Sequence, residues 1–167
     1  DRAIAHDPSY SMAHSGRAFA LVVSTGWVPW MPIKTALAEG LASANEALRL
    51  DPENAEAYLV RGVVKTFMFE QTQGRPDMDR ARELAPGSVD VMNFLGDELT
   101  NTGDLRGAER LKRQAMALDP LFFVHPGNLA TILRAQGRPG DALQMGNRSV
   151  SLGGADFGNI EVFFAQL

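Results

Sequence analysis

Cysteine is absent from the 167 residues of the sequence. This absence excludes a disulfide-linked scaffold, a cysteine nucleophile and cysteine-ligated zinc, and it fits a reducing compartment. Long apolar runs are absent too. The most apolar stretch, AFALVVSTGWVPWM, is interrupted by Gly26 and Pro29, and it falls short of the roughly 18 residues that a membrane-spanning helix needs. We therefore expect a cytoplasmic chain that does not enter a membrane.

An excess of positive charge is also missing. Lys and Arg number 16 and Asp and Glu number 20, which gives a formal net charge of −4. Proteins that read nucleic acids usually carry a basic face, so we expect no nucleic-acid partner. The 45% of hydrophobic residues is ordinary for a folded protein and argues against disorder. The chain opens at Asp1 without a visible signal peptide, and we expect it to be a piece of a longer protein.

What the sequence does contain is an internal repeat with a period of 34 residues. Pro52, Pro86 and Pro120 are separated by this step. Four further sets keep the same step: Leu50, Leu84, Leu118 and Leu152; Ala47, Ala81 and Ala115; Gly62, Gly96 and Ala130; and Gly40, Gly74, Ala108 and Ala142. Because these sets are independent of one another, their agreement indicates a true repeat.

Residues 89–120 show what one period encodes. Apolar residues spaced i, i+3 and i+4 over 91–99 predict a first helix. Gly103 suits the C-terminal cap of this helix, and a second apolar stripe over 105–118 predicts another helix. Asp119-Pro120 ends the second helix, because proline disfavours the α conformation in the residue before it. The repeating unit is therefore a helix, a tight turn and a helix.

This pattern resembles the tetratricopeptide repeat (TPR) family. The residues that carry the resemblance are Leu95-Gly96, Ala108, Ala115 and Leu118-Asp119-Pro120 in one repeat, Tyr58, Gly62, Ala81, Leu84 and Pro86 in another, and Leu129-Ala130, Gly137, Ala142 and Leu152 in a third. The resemblance covers essentially the whole chain. It implies an all-α fold in which antiparallel helix pairs stack into a right-handed superhelix, an α-solenoid, with one concave face.

We interpret the chain as a single array of such repeats. The repeats span residues 9–52, 55–86, 89–120 and 123–154, with a partial fifth at 157–167. From Pro8 to Pro52 is 44 residues, ten more than the period, and we place this insertion in the first repeat at 24–32. The predicted helices are the tail of a preceding helix at 1–6 and the pairs 10–23 with 33–49, 55–73 with 76–84, 89–101 with 105–118, and 123–136 with 139–152.

The second repeat departs from the family pattern at two positions. Pro76 falls inside the expected second helix, and a proline in a helix interior costs about 3 kcal/mol. This favours a first helix that runs to Gln73 and a short second helix that begins at Pro76. Arg61 occupies a position where the family usually has an apolar residue, so we expect it to have an acidic partner.

Catalytic residues do not form a recognisable set in this sequence. His6, His14 and His125 each lack a second ligand at i+4, and no glycine-rich phosphate-binding motif is present. Asp97 and Glu98 are adjacent, and adjacent helix residues point about 100° apart, so they cannot share a proton. We expect no enzymatic activity, no cofactor and no metal.

Recognition of another protein is the function that remains. In the resembled family, partner peptides usually lie on the concave face, which the first helices of the repeats line. Asn93 and Asn101 are the preferred candidates on this face, because an asparagine amide can hold an extended backbone with paired hydrogen bonds. Carried over by matching positions, the peptide-binding groove would contain Ser15, Phe19, Glu56, Leu59, Val63, Asp90, Asn93, Asp97, Asn101, Thr131 and Arg134.

The groove so defined is acidic and apolar, which predicts a protein or peptide partner with basic and apolar residues. Some family members hold a partner's C-terminal carboxylate with lysines and asparagines. The corresponding positions here read Ser15, Phe19, Val60, Asp90 and Phe94 and contain no cation. A carboxylate clamp is therefore not expected.

Two further segments are candidates for interfaces. Trp27 and Trp30 lie close to Pro29 and Pro32 in the insertion, where they either contact a partner or fold back against the end of the superhelix. Phe163 and Phe164 belong to a C-terminal apolar face with no helix after it. Repeat arrays need a polar cap at each end, so unless more chain follows, this face must pack back or bury itself in another molecule. We predict a homo-oligomer through this face.

Two functions follow from these observations. The leading interpretation is a non-catalytic scaffold that binds a partner peptide or domain on its concave face. The alternative is an intramolecular regulatory or sensory region of a larger bacterial signalling protein. The segment DPSYSMAH and the Gly-Trp-x-Pro insertion resemble repeat regions that follow the catalytic or DNA-binding domains of bacterial class III adenylate cyclases and winged-helix regulators.

Overall fold

The computed structural model describes residues 1–27, 31–68 and 71–154; of residues 26, 27, 71 and 72 it describes the backbone. All regular secondary structure in these ranges is helical. The helices are α1 (Arg2–His6), α2 (Ser11–Trp27), α3 (Ile33–Leu50), α4 (Ala55–Phe67), α5 (Gln71–Leu84), α6 (Val89–Asn101), α7 (Leu105–Leu118), α8 (Val124–Ala135) and α9 (Pro139–Ser151). The predicted all-α class is confirmed.

The chain is divided into two compact units, Asp1–Val91 and Met92–Leu167, and the boundary falls in the first turn of α6. In the first unit α2 packs against α3 and α4, and α4 packs against α3 and α5. In the second unit α8 packs against α7 and α9. Within each unit, helices therefore pack mainly against their neighbours in sequence, as expected of helical repeats.

Small and branched apolar side chains form the core of the first unit. From α4, Leu59, Val60 and Val64 are each at most 2% exposed. The other buried apolar residues of this core are Ala18, Leu21 and Val22 of α2, Ala36, Leu37, Ala44 and Ala47 of α3, Ala57 and Val63 of α4, and Met78 and Ala81 of α5. Burying one leucine or valine side chain contributes about 1.5–3 kcal/mol, so α4 anchors this unit.

The core of the second unit lies between α8 and α9. Leu129 and Leu133 of α8 and Ala142 of α9 are fully buried together, and Met116 and Met145 pack against them. The flexible thioether side chains of methionine fill irregular gaps in such cores. Because Leu129 and Leu133 pack against α9, this packing determines which face of α8 points away from α9.

The helix ends follow the expected chemistry. Asp51 and Asp119, which each precede a proline, end α3 and α7 with φ angles of −141° and −129°. Gly103 and Gly137, one period apart, follow α6 and α8 with φ angles of +89° and +75°. Only glycine adopts this left-handed conformation without strain, which confirms the prediction of Gly103 as a cap.

The boundary between α4 and α5 differs from the prediction. The first helix ends at Phe67 rather than at Gln73, and the second begins at Gln71 and contains Pro76 in its interior. Pro76 removes one backbone donor from the helix. The early start of α5 places Gly74 against Gly62 of α4, where both residues are buried. This close packing offsets the cost of the proline.

The insertion of the first repeat begins inside a helix. Helix α2 continues to Trp27 rather than ending at residue 23. In this additional turn, the hydroxyl of Thr25 donates back to the carbonyl of Val22 at 2.7 Å. Trp30 lies outside the described residues.

The acidic partner expected for Arg61 is Asp77. The Arg61 guanidinium donates to both carboxylate oxygens of Asp77, at 2.6 and 2.8 Å, and Lys65 lies 2.8 Å from the same carboxylate. Burial by itself would raise the pKa of Asp77, but the hydrogen bonds from Arg61 and Lys65 outweigh it and hold the pKa below 3.8. A two-point contact of this kind ties α4 to α5 with defined geometry.

Candidate functional site

A pocket of about 250 Å³ lies between α6 and α8, the first helices of two consecutive repeats. The residues that line it are Asp97, Thr100, Asn101, Asn128, Thr131 and Ile132. All of them belong to the second unit. The pocket therefore brings together Asp97, Asn101 and Thr131, three residues of the predicted groove.

The same helical spacing brings each set of side chains to the pocket. Asp97, Thr100 and Asn101 stand at i, i+3 and i+4 on α6, and the three contributions from α8 keep this spacing. Residues at this spacing share one face of a helix. Since Asp97 and Thr131 are one period apart, the pocket lies between equivalent faces of two successive helices.

The lining combines an apolar wall with polar groups. Ile132 is 1% exposed, while Asn101 is exposed at the end of α6. Within the described ranges, no hydrogen bond engages the side-chain amide of Asn101. The hydroxyl of Thr100 is already used, because it donates to the carbonyl of Gly96 at 2.8 Å. Asn101 therefore presents a donor and an acceptor to solvent.

A buried lysine lies beneath this lining. Lys112 of α7 is fully buried, and its Nζ atom donates to the backbone carbonyl of Asn93 at 2.8 Å, to Asn93 Oδ1 at 2.7 Å and to Asp97 Oδ1 at 2.5 Å. Burial lowers the pKa of Lys112, and the Asp97 carboxylate opposes this effect. Three acceptors match the three protons of an ammonium group, so Lys112 and Asp97 form an ion pair.

The glycine at position 96 makes room for the lysine. A Cβ atom on Gly96 would lie only 3.0 Å from Lys112 Cε. The same relationship occurs one period earlier, where Gly62 faces the buried side chain of Met78. Lys112 thus occupies a core position that the preceding repeat fills with methionine, and its long stem carries the charge to α6.

Asn93 holds Lys112 rather than lining the pocket. Its Oδ1 atom accepts from Lys112 and also from Asn128 Nδ2 at 3.3 Å. The amide oxygen expected to hold a partner is therefore already used within the protein. No described residue donates a hydrogen bond to Asn128 Oδ1. Asn128, rather than the predicted Asn93, therefore presents an amide oxygen at the pocket.

The predicted groove residues of the first unit form other contacts. Ser15 is buried, and its hydroxyl donates to Glu56 Oε2 at 2.5 Å. Leu59 and Val63 are 2% and 4% exposed, which leaves almost no side-chain surface for a partner. Phe19 is half-buried on α2. These side chains stabilise the helix packing of their unit.

The remaining predicted residues do not line the pocket, or they lie outside the residues that the structure describes. Asp90 and Arg134 are exposed on α6 and α8, and neither lines the pocket. Trp27 ends α2, and its side chain is not described. Phe163 and Phe164, which carry the predicted homo-oligomer, lie outside the described residues.

Sequence reasoning missed Asn128, Ile132 and Lys112, and only Lys112 had a signal in the sequence. Asn128 and Ile132 are one period after Phe94 and Glu98, so the register alone suggested neither an amide nor an apolar wall. Lys112 is one period after Met78. A lysine at a position that is apolar in the preceding repeat is the signal that could have identified the ion pair.

The described residues contain no group of three or more His, Asp or Glu side chains placed to hold a metal ion. His125 is buried at the start of α8, with its ring edge-on to Phe122 at a centroid distance of 5.2 Å. No helix within the described ranges is long and apolar enough to span a bilayer.

Solved structures share this fold at low sequence identity. YrrB, a TPR protein with an unusual peptide-binding site, is 21% identical, with a TM-score of 0.66 over 99% of this chain and 79% of YrrB. MamA is 13% identical, with a TM-score of 0.67 over 93% of this chain and 80% of MamA. PilF of Pseudomonas aeruginosa is 18% identical, with a TM-score of 0.67 over 89% of this chain and 71% of PilF.

No protein-family model matches the sequence, and no curated protein matches it either. The structural similarity nevertheless defines the class of protein: an all-α helical repeat with the TPR fold. The resemblance drawn from the 34-residue period is thereby confirmed at the level of the fold.

Proposed function

We propose that the chain is a non-catalytic scaffold that binds an extended segment of a protein partner at the pocket between α6 and α8. The observation that carries this proposal is the pair of amides at the pocket, Asn101 and Asn128, beside the apolar wall of Ile132. An amide that offers both a donor and an acceptor can pair with a peptide backbone. The first-helix face that holds the pocket is the concave face in the resembled family.

The size of the pocket supports a peptide rather than a cofactor. Small-molecule sites are clefts of about 300–1,000 Å³ that enclose most of their ligand. A pocket of about 250 Å³ between two helices has room for one or two residues of a longer segment. YrrB, whose structure includes a peptide-binding site, has the same fold.

The expected partner chemistry has an apolar and a basic part. Ile132 supports an apolar residue in the bound segment. Basic residues in the partner were expected because Asp90 and Asp97 belong to the predicted groove. Asp90 belongs to the first unit and does not line this pocket, and Asp97 is paired with Lys112. The proposal at this pocket therefore rests on hydrogen bonding and apolar contact.

Selection from a random peptide library, with the full chain as target, tests this function. The dissociation constants of the selected peptides would be measured by titration calorimetry for the wild type and for Asn101→Ala and Asn128→Ala. Each variant should weaken binding about fivefold to tenfold, because a hydrogen bond contributes about 1 kcal/mol. Asn147→Ala, an exposed asparagine on α9, is the matched control and should bind as the wild type does.

Two results would reject the proposal. One is that no peptide is selected above the level found for an unrelated helical protein. The other is that peptides are selected but bind Asn101→Ala and Asn128→Ala with the affinity of the wild type. Circular dichroism of each variant would establish that the helices are retained.

A further inference from the structure

The charge that lines the pocket comes from one side chain. Of its six lining residues, Asp97 is the only one that ionises, and the others are Thr100, Asn101, Asn128, Thr131 and Ile132. From the sequence, such a pocket would favour a basic ligand. The structure adds a cation that does not appear in the lining, because Lys112 is fully buried beneath Asp97.

The ion pair balances the charge of the pocket. Lys112 Nζ lies 2.5 Å from Asp97 Oδ1, and its two other contacts are to Asn93. All three ammonium protons are used, so Lys112 does not turn toward a ligand. Asp97 is 44% exposed on its side chain, so one face of the carboxylate meets solvent while the other is neutralised from below.

Both kinds of charged ligand are disfavoured by this arrangement. A ligand cation would gain from Asp97 but would approach the buried charge of Lys112, which solvent screens poorly. A ligand anion would meet the exposed face of the Asp97 carboxylate. An uncharged donor, such as a backbone or side-chain amide, can bond to Asp97 without either cost.

We propose that the pocket between α6 and α8 selects an uncharged peptide segment with amide donors, and that Lys112 is the residue that determines this preference. The inference rests on the proposed function, since it assigns the partner chemistry of the same site. Lys112 acts as a positioning and charge-compensating residue, because it reaches the ligand only through Asp97.

The test uses three pools of random peptides that differ at one fixed central position, which holds Gln, Lys or Glu. Binding of each fluorescently labelled pool to the full chain would be measured by anisotropy at low salt. The wild type should bind the Gln pool at least about threefold more tightly than either charged pool. Equal binding of the three pools, or a preference for Lys or Glu, would overturn the inference.

Two variants should shift the preference in opposite directions. Lys112→Met installs the residue found one period earlier at Met78 and leaves Asp97 without its cation, so the Lys pool should become the tightest by about fivefold. Asp97→Asn leaves the Lys112 charge without its anion, so the Glu pool should gain. The double variant removes both charges and should again prefer the Gln pool.

These outcomes separate the inference from the function on which it rests. If Lys112→Met does not fold by circular dichroism, Lys112→Gln decides the question, because it also removes the charge and leaves Asp97 in place, and an unchanged preference in that variant rejects the role of Lys112. If all pools bind equally and Asn101→Ala weakens each of them, the pocket is a peptide site without charge selection. If no pool binds at all, the proposed function fails as well.

Discussion

Gly62 and Gly74 bring the backbones of α4 and α5 into direct contact. A Cβ atom on Gly62 would lie 2.8 Å from the carbonyl oxygen of Gly74, and a Cβ atom on Gly74 would lie 2.6 Å from the carbonyl oxygen of Gly62. Distances this short do not occur in folded proteins. The two helices can approach this closely only while both positions lack side chains.

Gly62→Ala should therefore destabilise the protein by about 2–4 kcal/mol, because overpacking here displaces backbone rather than a flexible side chain. The free energy of unfolding from urea denaturation measures the effect. Gly16→Ala is the matched control, because Gly16 lies within α2 with nothing near its Cβ position. That substitution should leave stability unchanged or raise it by up to about 1 kcal/mol. Equal stabilities of the two variants would contradict the contact.

Asp77 should make stability depend on acid. Its pKa in the folded protein lies below the ordinary value of 3.8 because Arg61 and Lys65 outweigh the effect of burial. The stabilisation is therefore fully present above about pH 4 and is lost as the pH falls through the lower folded pKa. The wild type should lose stability more steeply below pH 4 than Asp77→Asn does, as measured by urea denaturation at a series of pH values.

At neutral pH, Asp77→Asn should cost about 2–3 kcal/mol, since it leaves two half-buried cations without their carboxylate. Asp79→Asn is the control. Asp79 pairs with Arg75 and Arg82 on the surface of α5, where such pairs contribute about 0–1 kcal/mol. A loss for Asp79→Asn as large as that for Asp77→Asn would show that burial is not the cause.

Removal of Asp97 and removal of Lys112 should change the stability of the protein by unequal amounts. Asp97→Asn leaves a buried ammonium without its counterion, which should cost about 2 kcal/mol. Lys112→Met removes the buried charge and supplies a side chain that suits the same position at Met78, so stability should change by less than about 1 kcal/mol. Thermal and urea unfolding of both variants measures this order, and the reverse order would contradict the assignment.

Asn54 should contribute more than an ordinary helix cap. Its Oδ1 atom accepts from the backbone nitrogen of Ala57 at 2.9 Å, and its Nδ2 atom donates to Ser11 Oγ at 2.8 Å, which in turn donates to the carbonyl of Ala47 at 2.9 Å. Asn54→Ala breaks both the cap and this link between helices, and should cost about 2 kcal/mol.

Asp104→Ala gives the comparison for Asn54→Ala. Asp104 caps α7 through Gly107 at 2.9 Å and is exposed, so its loss should cost only about 1 kcal/mol. Chemical denaturation compares the two variants. If Asp104→Ala is the more destabilising, the link through Ser11 carries no stability.

The repeat architecture could be predicted because several residue types repeat with one period. The glycines that end α6 and α8 and the aspartates that end α3 and α7 act through local backbone chemistry, which a sequence displays directly. The start of α5 could not be predicted in this way. Through its local effect on the backbone, Pro76 favours a later start of this helix. The contact of Gly74 with Gly62 outweighs that effect, and because it joins two helices, the local sequence does not reveal it.

The position of a residue within the repeat predicts whether it lies on the face that lines the pocket. It does not predict contacts in which a side chain of one helix reaches another helix. Asp97, Asn101 and Thr131 follow from their positions on first helices. Asn93 was expected to face a ligand, but Lys112 comes from a second helix and occupies its amide oxygen. Leu59 and Val63 occupy first-helix positions too, but their helix is packed on several sides.

A lysine that solvent does not reach is also protected from chemical reagents. An acylating reagent that modifies amines meets Lys34 on the exposed face of α3, but it can meet Lys112 only when α6 and α7 separate. The rate at which Lys112 becomes modified therefore records how often this helix pair opens. The protein thus contains a natural reporter of local unfolding, placed directly beneath the surface on which a partner would bind.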